Sequence, residues 1–190
     1  GNEFNFIPDA YSGDIWINYQ SWSRNSSSTI NSYYFGNGHA GYNTTSVYAG
    51  KVYGAVWNDY AEYRNTINIK PGQCVIETGL GDLVQSTKRL QPGANIVSDT
   101  FGFAIGKTEQ TKTPIAVSGR VLAYPYEDRD SYQAGDPVCS GPNGTISKMT
   151  REEVREYPDR IIGTVSEIPD YEIWGTGNVK VNGRIWIKVR

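Results

Sequence analysis

Gly72-Gln73-Cys74-Val75, a turn through Gly79 and Gly81, then Leu83 is answered later in the sequence by Gly135-Asp136-Pro137-Val138, a turn through Gly141 and Gly144, then Ile146. Two further echoes extend the match. Ile105-Gly106 is answered by Ile162-Gly163, and Val117-Ser118-Gly119-Arg120-Val121 by Val181-Asn182-Gly183-Arg184-Ile185. The first and last pairs keep nearly the same offset, while the middle pair is closer, as an insertion or deletion would leave it. With only two copies a solenoid is excluded. Two copies of a strand, turn, strand and hairpin unit, each alternating apolar and polar residues, can instead close on each other and remove exposed strand edges. The expectation for residues 69–190 is therefore a small β-barrel with a pseudo-twofold, its copies covering about 69–124 and 133–190.

Local signals fill in this frame. Thr150 followed by Glu153 forms a capping box, and Pro158 cannot continue a helix, so one short helix is expected over Thr150 to Tyr157. Its many charges predict a solvated face. Gly119-Arg120 and Gly183-Arg184 fit a bulge or turn with an outward Arg, a reading preferred to a ligand role. Gly79-Leu80-Gly81-Asp82 lacks the Gly-Lys-Ser/Thr of a phosphate loop and reads as a hairpin turn.

Composition agrees with a β-rich protein. Gly (21) and Tyr (14) are abundant while Met (1) and His (1) are scarce, a bias toward pleated, turn-rich structure. The formal charge of −2 offers no field for a phosphate backbone or an anionic membrane, so nucleic acid is not an expected partner. No apolar run approaches the roughly 18 residues of a bilayer span, and membrane insertion is not expected. Cys74 and Cys139 are too few for a disulfide scaffold and wrongly spaced for zinc, so both are expected as packed thiols with no metal and no cofactor.

The beginning of the sequence has different chemistry. Its first stretch carries only Glu3, Asp9, Asp14 and Arg24 as charges before Lys51, yet residues 1–57 hold more than half of the aromatic side chains. Short alternations such as Phe4-Asn5-Phe6-Ile7 and Ile15-Trp16-Ile17-Asn18-Tyr19, broken by Gly, Ser and Asn, predict short strands and loops of a fibre-like segment. So many aromatics with so little packing logic of their own imply burial against neighbouring copies, hence an oligomer. Trp16, Tyr19, Trp22, Tyr33 and Tyr34 are candidate sugar-stacking residues, since flat aromatic faces beside Asn and Ser hydroxyl partners suit a cell-surface glycan.

Residues 58–68 join the two regions. The run Asn58-Asp59-Tyr60-Ala61-Glu62-Tyr63 resembles the start of the autoprocessing intramolecular-chaperone domains at the C-termini of bacteriophage tail fibres and pre-neck appendages. Gly1-Asn2-Glu3-Phe4-Asn5-Phe6-Ile7-Pro8 and Phe35-Gly36-Asn37-Gly38 are similar to the stem that precedes such domains in prophage fibre proteins. The resemblance implies a trimerising assembly module of a virion and, in some members, a single self-inflicted cut. Endosialidase-type members place a Ser at the cut, whereas Asn58 stands here. An Asn amide can close onto its own carbonyl, slowly unless strain or an acid assists, so Asn58, Asp59 and Glu62 are the candidate residues for self-cleavage. In a strand, Asp59 and Glu62 point to opposite faces, which weakens them as a carboxylate pair. The expected function is a homotrimeric fibre assembly domain that does not ordinarily cut itself, at most a single-turnover endopeptidase; the alternative is a carbohydrate-binding module at a fibre tip.

Overall fold

A computed structural model of the protein describes residues 58–65, 69–108, 110–175 and 177–189. The segment 1–57 expected to be fibre-like, with Trp16, Tyr19, Trp22, Tyr33 and Tyr34, lies outside the described residues. The rest is mainly β. In sequence order the strands are β1 (Asp59–Arg64), β2 (Cys74–Glu77), β3 (Leu83–Gln85), β4 (Ala94–Ile96), β5 (Phe101–Ile105), β6 (Thr113–Ala123), β7 (Pro137–Ser140) and β8 (Ile146–Lys148). After helix α1 (Arg151–Glu156) come β9 (Gly163–Glu167), β10 (Ile173–Trp174), β11 (Val179–Lys180) and β12 (Ile185–Val189).

Seven strands form one sheet in the order β5-β1-β6-β12-β9-β7-β8, beside a three-stranded sheet β3-β2-β4 and the small β10-β11 hairpin. Within the large sheet all pairings are antiparallel except β1 with β5. The expected closed barrel is not formed: β5 and β8 end the large sheet at opposite sides without pairing. β8 is tied instead to the segment after β6 by a bridge between Ile146 and Pro125, while β4 stays paired to β2 and Val97, just past it, bridges to Ile115 of β6. The second sheet thus packs onto the first, burying Cys74 and Ile96 with Val121, Val138, Ile146, Ile185 and Ile187 in one core. Burying a side chain of this size stabilises by roughly 1.5–3 kcal/mol.

The two hairpins repeat each other down to backbone hydrogen bonds. Gly72 N donates to Val97 O (2.8 Å) and Val97 N to Gln73 O (3.0 Å); Gly135 N donates to Val165 O (2.8 Å) and Val165 N to Asp136 O (2.8 Å). In both, the side chain of the residue after the Gly turns back, Gln73 Oε1 accepting from Lys70 N (2.9 Å) and Asp136 Oδ2 from Gln133 N (2.7 Å). Gly72 and Gly135 have φ of 84° and 92°, a backbone that L side chains rarely adopt. This pattern matches Val97 to Val165, and it places Gly163 opposite Val138 where Asn95 lies opposite Val75. The match of Ile105-Gly106 to Ile162-Gly163 is therefore corrected. The second copy is longer between β8 and β9, where α1 is inserted.

α1 has its expected cap: Thr150 Oγ1 accepts from Glu153 N (3.2 Å) and Glu153 Oε2 from Thr150 N (2.8 Å). Its face is not wholly solvated, because Glu153 also takes the guanidinium of Arg89 at 2.8 Å. The Gly79–Asp82 stretch is the β2–β3 turn, with Thr78 N bonded to Asp82 O at 2.9 Å. Both cysteines are free and buried, and burial pushes the Cys74 thiol up to about 12. No helix among the described residues is long and apolar enough to cross a membrane.

The two Gly-Arg pairs diverge. Arg120 lies over the Trp186 ring, 5.1 Å from its centroid, and reaches Glu167 at 3.4 Å. Arg184 is not outward at all. It is 2% exposed, bidentate to Asp99 at 2.8 and 3.0 Å, and its Nε donates to Val181 O at 3.1 Å. A planar fork of donors fits this site and a lysine does not. Asp99 keeps a partly exposed side chain, so Arg184→Ala is expected to cost about 2–4 kcal/mol, toward the lower end for breaking a buried pair. Urea unfolding followed by Trp fluorescence measures it, and Arg184→Lys should recover only part of the loss.

Candidate functional site

β1 enters the large sheet between β5 and β6, and its first residue is a fully buried carboxylic acid. Asp59 pairs with Phe101 on one side and Gly119 on the other, with register shifts after it against β5 and, one residue later, against β6. The pairing with β6 closes on a glycine. Gly119 has φ of 106°, and a Cβ there would stand 2.0 Å from Asn58 O and 2.7 Å from Asp59 Cα. Only a residue without a side chain lets β6 approach so closely. The approach delivers the next backbone N–H: Arg120 N donates to Asn58 O at 2.7 Å.

The Asp59 carboxyl sits among hydroxyls. Thr100 Oγ1 donates to Asp59 Oδ1 at 2.9 Å, and Thr100 N in turn donates to Ser98 Oγ at 3.0 Å. Burial raises the Asp59 pKa from the ordinary 3.8 to about 6; the Ser98 and Thr100 hydroxyls work against that rise and the Asp99 carboxylate adds to it. Of these hydroxyls only Thr100 makes a well-formed hydrogen bond. Desolvation wins because one hydroxyl does not replace the hydration shell of a carboxylate.

Polar satisfaction is unusually poor at this dipeptide. Four buried nitrogen or oxygen atoms of side chains among the described residues have no hydrogen-bond partner, and two of them, Asn58 Nδ2 and Asp59 Oδ2, belong to adjacent residues. Buried polar atoms are nearly always paired, so two unpaired atoms on adjacent residues set this dipeptide apart. The result is an amide nitrogen free of hydrogen bonds, a backbone carbonyl held by an N–H, and an acid whose proton is retained toward neutral pH.

Glu62 is not part of this constellation. It lines an open cleft of about 330 Å³ with Arg64, Glu77, Ile115 and Val189. Arg64 stands 3.9 Å from Glu62 and 3.1 Å from Glu77, so the cation is shared between two acids. Of the three residues expected to serve self-cleavage the structure gathers Asn58 and Asp59 and leaves Glu62 elsewhere. Ser98, Thr100, Gly119 and the Arg120 N–H take its place. Thr100 is 41 residues from Asp59 in sequence and has no local signature. Gly119 did stand out in the repeat, though as a bulge rather than as the residue that admits a donor. No cluster of His, Cys, Asp or Glu among the described residues is placed to hold a metal ion.

The raised pKa has a defined consequence. Folded Asp59 binds its proton more tightly than the unfolded state does, so its contribution is fully present below about pH 4 and is lost as pH rises through about pH 6. Above that, the buried anion penalises folding by about 3 kcal/mol, two pKa steps of roughly 1.4 kcal/mol each. Asp59→Asn is expected to stabilise the domain by about 2–3 kcal/mol at pH 8 and to flatten the pH dependence between pH 4 and 6, as read by urea unfolding across pH. Gly119→Ala should destabilise by at least about 1–3 kcal/mol, the cost of one strained residue, because its Cβ overlaps Asn58 O. Comparison with protein-family models, with curated proteins and with solved structures found no match.

Proposed function

We propose that the protein is the assembly module of a phage tail fibre or appendage, a virion component in which three copies associate and the described β domain carries the contact. One observation supports this most: the outer strand of the large sheet, β5, reads Phe-Gly-Phe-Ala-Ile and contains no charge and no proline. One register shift, at Gly102, interrupts its pairing with β1, but the charges and prolines with which monomeric proteins also blunt such edges are missing, and an open row of N–H and C=O groups pairs with other molecules. Phe103 and Ile105 on this strand are each 45% exposed, and Val117 on β6 is 43% exposed. Tyr60 stacks on Phe103 with ring centroids 5.4 Å apart, and Tyr63 meets Phe101 edge-on at 6.0 Å. The aromatic row thus begins at the same junction whose sequence resembles the start of fibre chaperone domains. In some members of the family it resembles, the module then cuts itself away at this junction.

The charge balance suits self-association rather than capture of a polyanion, since a net charge of −2 neither repels copies strongly nor attracts phosphate. Light scattering of the full-length protein at micromolar concentration is expected to give a trimer. A monomer at every concentration would overturn the proposal. Phe103→Asp combined with Ile105→Lys is expected to shift the population to monomer while leaving the circular dichroism spectrum of the domain unchanged, since both side chains are already half exposed.

A further inference from the structure

Self-cutting at the junction needs a nucleophile, and the residue resembling the cut point is not the serine that the hydroxyl route requires. We propose that the Asn58 side-chain amide is that nucleophile, closing onto its own backbone carbonyl while the Arg120 N–H polarises the carbonyl and Asp59 serves as the proton donor to the departing nitrogen. The proposal rests on the reading of residues 58–68 as the processing junction of an assembly module.

Three requirements of the reaction meet in one dipeptide. The amide must be free to attack, and Asn58 is 7% exposed with Nδ2 unpartnered. Nothing in the described surroundings holds that nitrogen in a competing hydrogen bond. The carbonyl must be activated, and the 2.7 Å contact from Arg120 N places a fixed donor on Asn58 O, the atom on which negative charge gathers. A donor fixed in advance by the fold does not have to reorganise as that charge develops. The leaving group must take a proton, and Asp59 carries both the leaving nitrogen and a buried carboxyl. Glu62, which the sequence offered for this role, is engaged with Arg64 in the neighbouring cleft.

The step balances without water or a cofactor. A bond forms between Asn58 Nδ2 and the backbone carbonyl carbon of Asn58, and the bond from that carbon to Asp59 N breaks. One proton leaves Nδ2 and one arrives on Asp59 N, relayed through the Asp59 carboxyl, which ends in its starting state. The products are an N-terminal piece ending in a cyclic succinimide and a C-terminal piece beginning with the free amine of Asp59. Water opens the succinimide afterwards. β1 keeps its pairing to β5 and β6 on the C-terminal piece, so the β domain has no cause to unfold.

The groups around the acid define its pH response. Asp99 precedes β5 and is itself held by Arg184; Ser98 and Thr100 supply hydroxyls; Arg120 of β6 sends its guanidinium to Glu167 and Trp186 instead. With Asp59 required as an acid, cutting is faster below its pKa of about 6 and falls as pH rises above it. Thr100 acts as a positioning residue: its hydroxyl stabilises the carboxylate, so Thr100→Val should move this alkaline limb to higher pH.

The test uses the full-length protein, incubated at about pH 5.5 and about pH 8 on either side of the acid's midpoint, with intact mass spectrometry and N-terminal sequencing of the products. The expected result is one cut, faster at the lower pH by at least about tenfold, the C-terminal piece starting at Asp59 and the N-terminal piece lighter by one water than the product of hydrolysis. In heavy-oxygen water the label should enter that piece only as the succinimide opens. Asn58→Ala should abolish the cut, Asn58→Gln should slow it because a larger ring must close, and circular dichroism should show both variants folded. The mass of the wild-type product decides the matter even where a variant fails to fold. Cutting of Asn58→Ala at the same bond, or a wild-type product that carries a free acid from the outset, would overturn the amide route while leaving a self-processing module in place. A wild-type protein that stays whole at both pH values would overturn the self-cutting altogether, and trimer formation by light scattering would stand or fall separately.

Discussion

The close approach of β6 to β1 at Gly119 is the constraint on which the described structure turns. β6 is eleven residues long and serves two partners in succession, β1 up to Gly119 and β12 from Gly119 onward. At that residue the strand has a positive φ and no room for a side chain. At Gly119 the strand passes from one neighbour to the next, joining the junction to the duplicated core in a single sheet. The same close approach brings the Arg120 backbone donor onto Asn58 O. Architecture and site chemistry are thus consequences of one glycine, and a side chain there would disturb both.

The duplication explains where the rigidity comes from. The β6–β12 register sets Leu122 opposite Trp186, with Val121 facing Ile187 and Ala123 facing Ile185. Because Val121 and Ile185 are equivalent in the repeat, a local twofold passes between Leu122 and Trp186. Both are wholly buried, and Trp186 also donates to Tyr171 Oη at 2.8 Å and meets Trp174 edge-on. The copies then diverge at the equivalent arginines. Arg184 is drawn inside because Asp99 lies there to receive it, whereas Arg120 finds Glu167 and the Trp186 face nearer the surface. A shared backbone with different charge partners is how a duplicated unit can keep one copy structural while the other borders a site.

How much of this was legible in the amino-acid sequence follows from the range of each interaction. The capping box at Thr150 and Glu153 spans three residues, and the paired turns at Gly72 and Gly135 are stated by local backbone needs; both could be read directly. Strand alternation shows which face is apolar but not which edges meet, and so a closed barrel was expected where the large sheet stays open between β5 and β8. Arg184 and Asp99 lie 85 residues apart, and nothing near either one announces the other. Thr100 and Ser98 escaped notice for the same reason. The strand period set Asp59 and Glu62 on opposite faces, and the structure gives them separate surroundings.

The chemistry of the junction depends on one property above all, that the acid beginning β1 is shut away from water with one hydroxyl for company and keeps its proton toward neutral pH. Site-resolved carbon NMR of the Asp59 carboxyl, assigned by its disappearance in Asp59→Asn and followed through a pH titration of the folded protein, measures this without relying on any reaction or assembly. The expected midpoint is about 6. A midpoint at the ordinary carboxylate value of 3.8 would contradict it, because a carboxyl titrating there is one that water or a full set of donors still reaches.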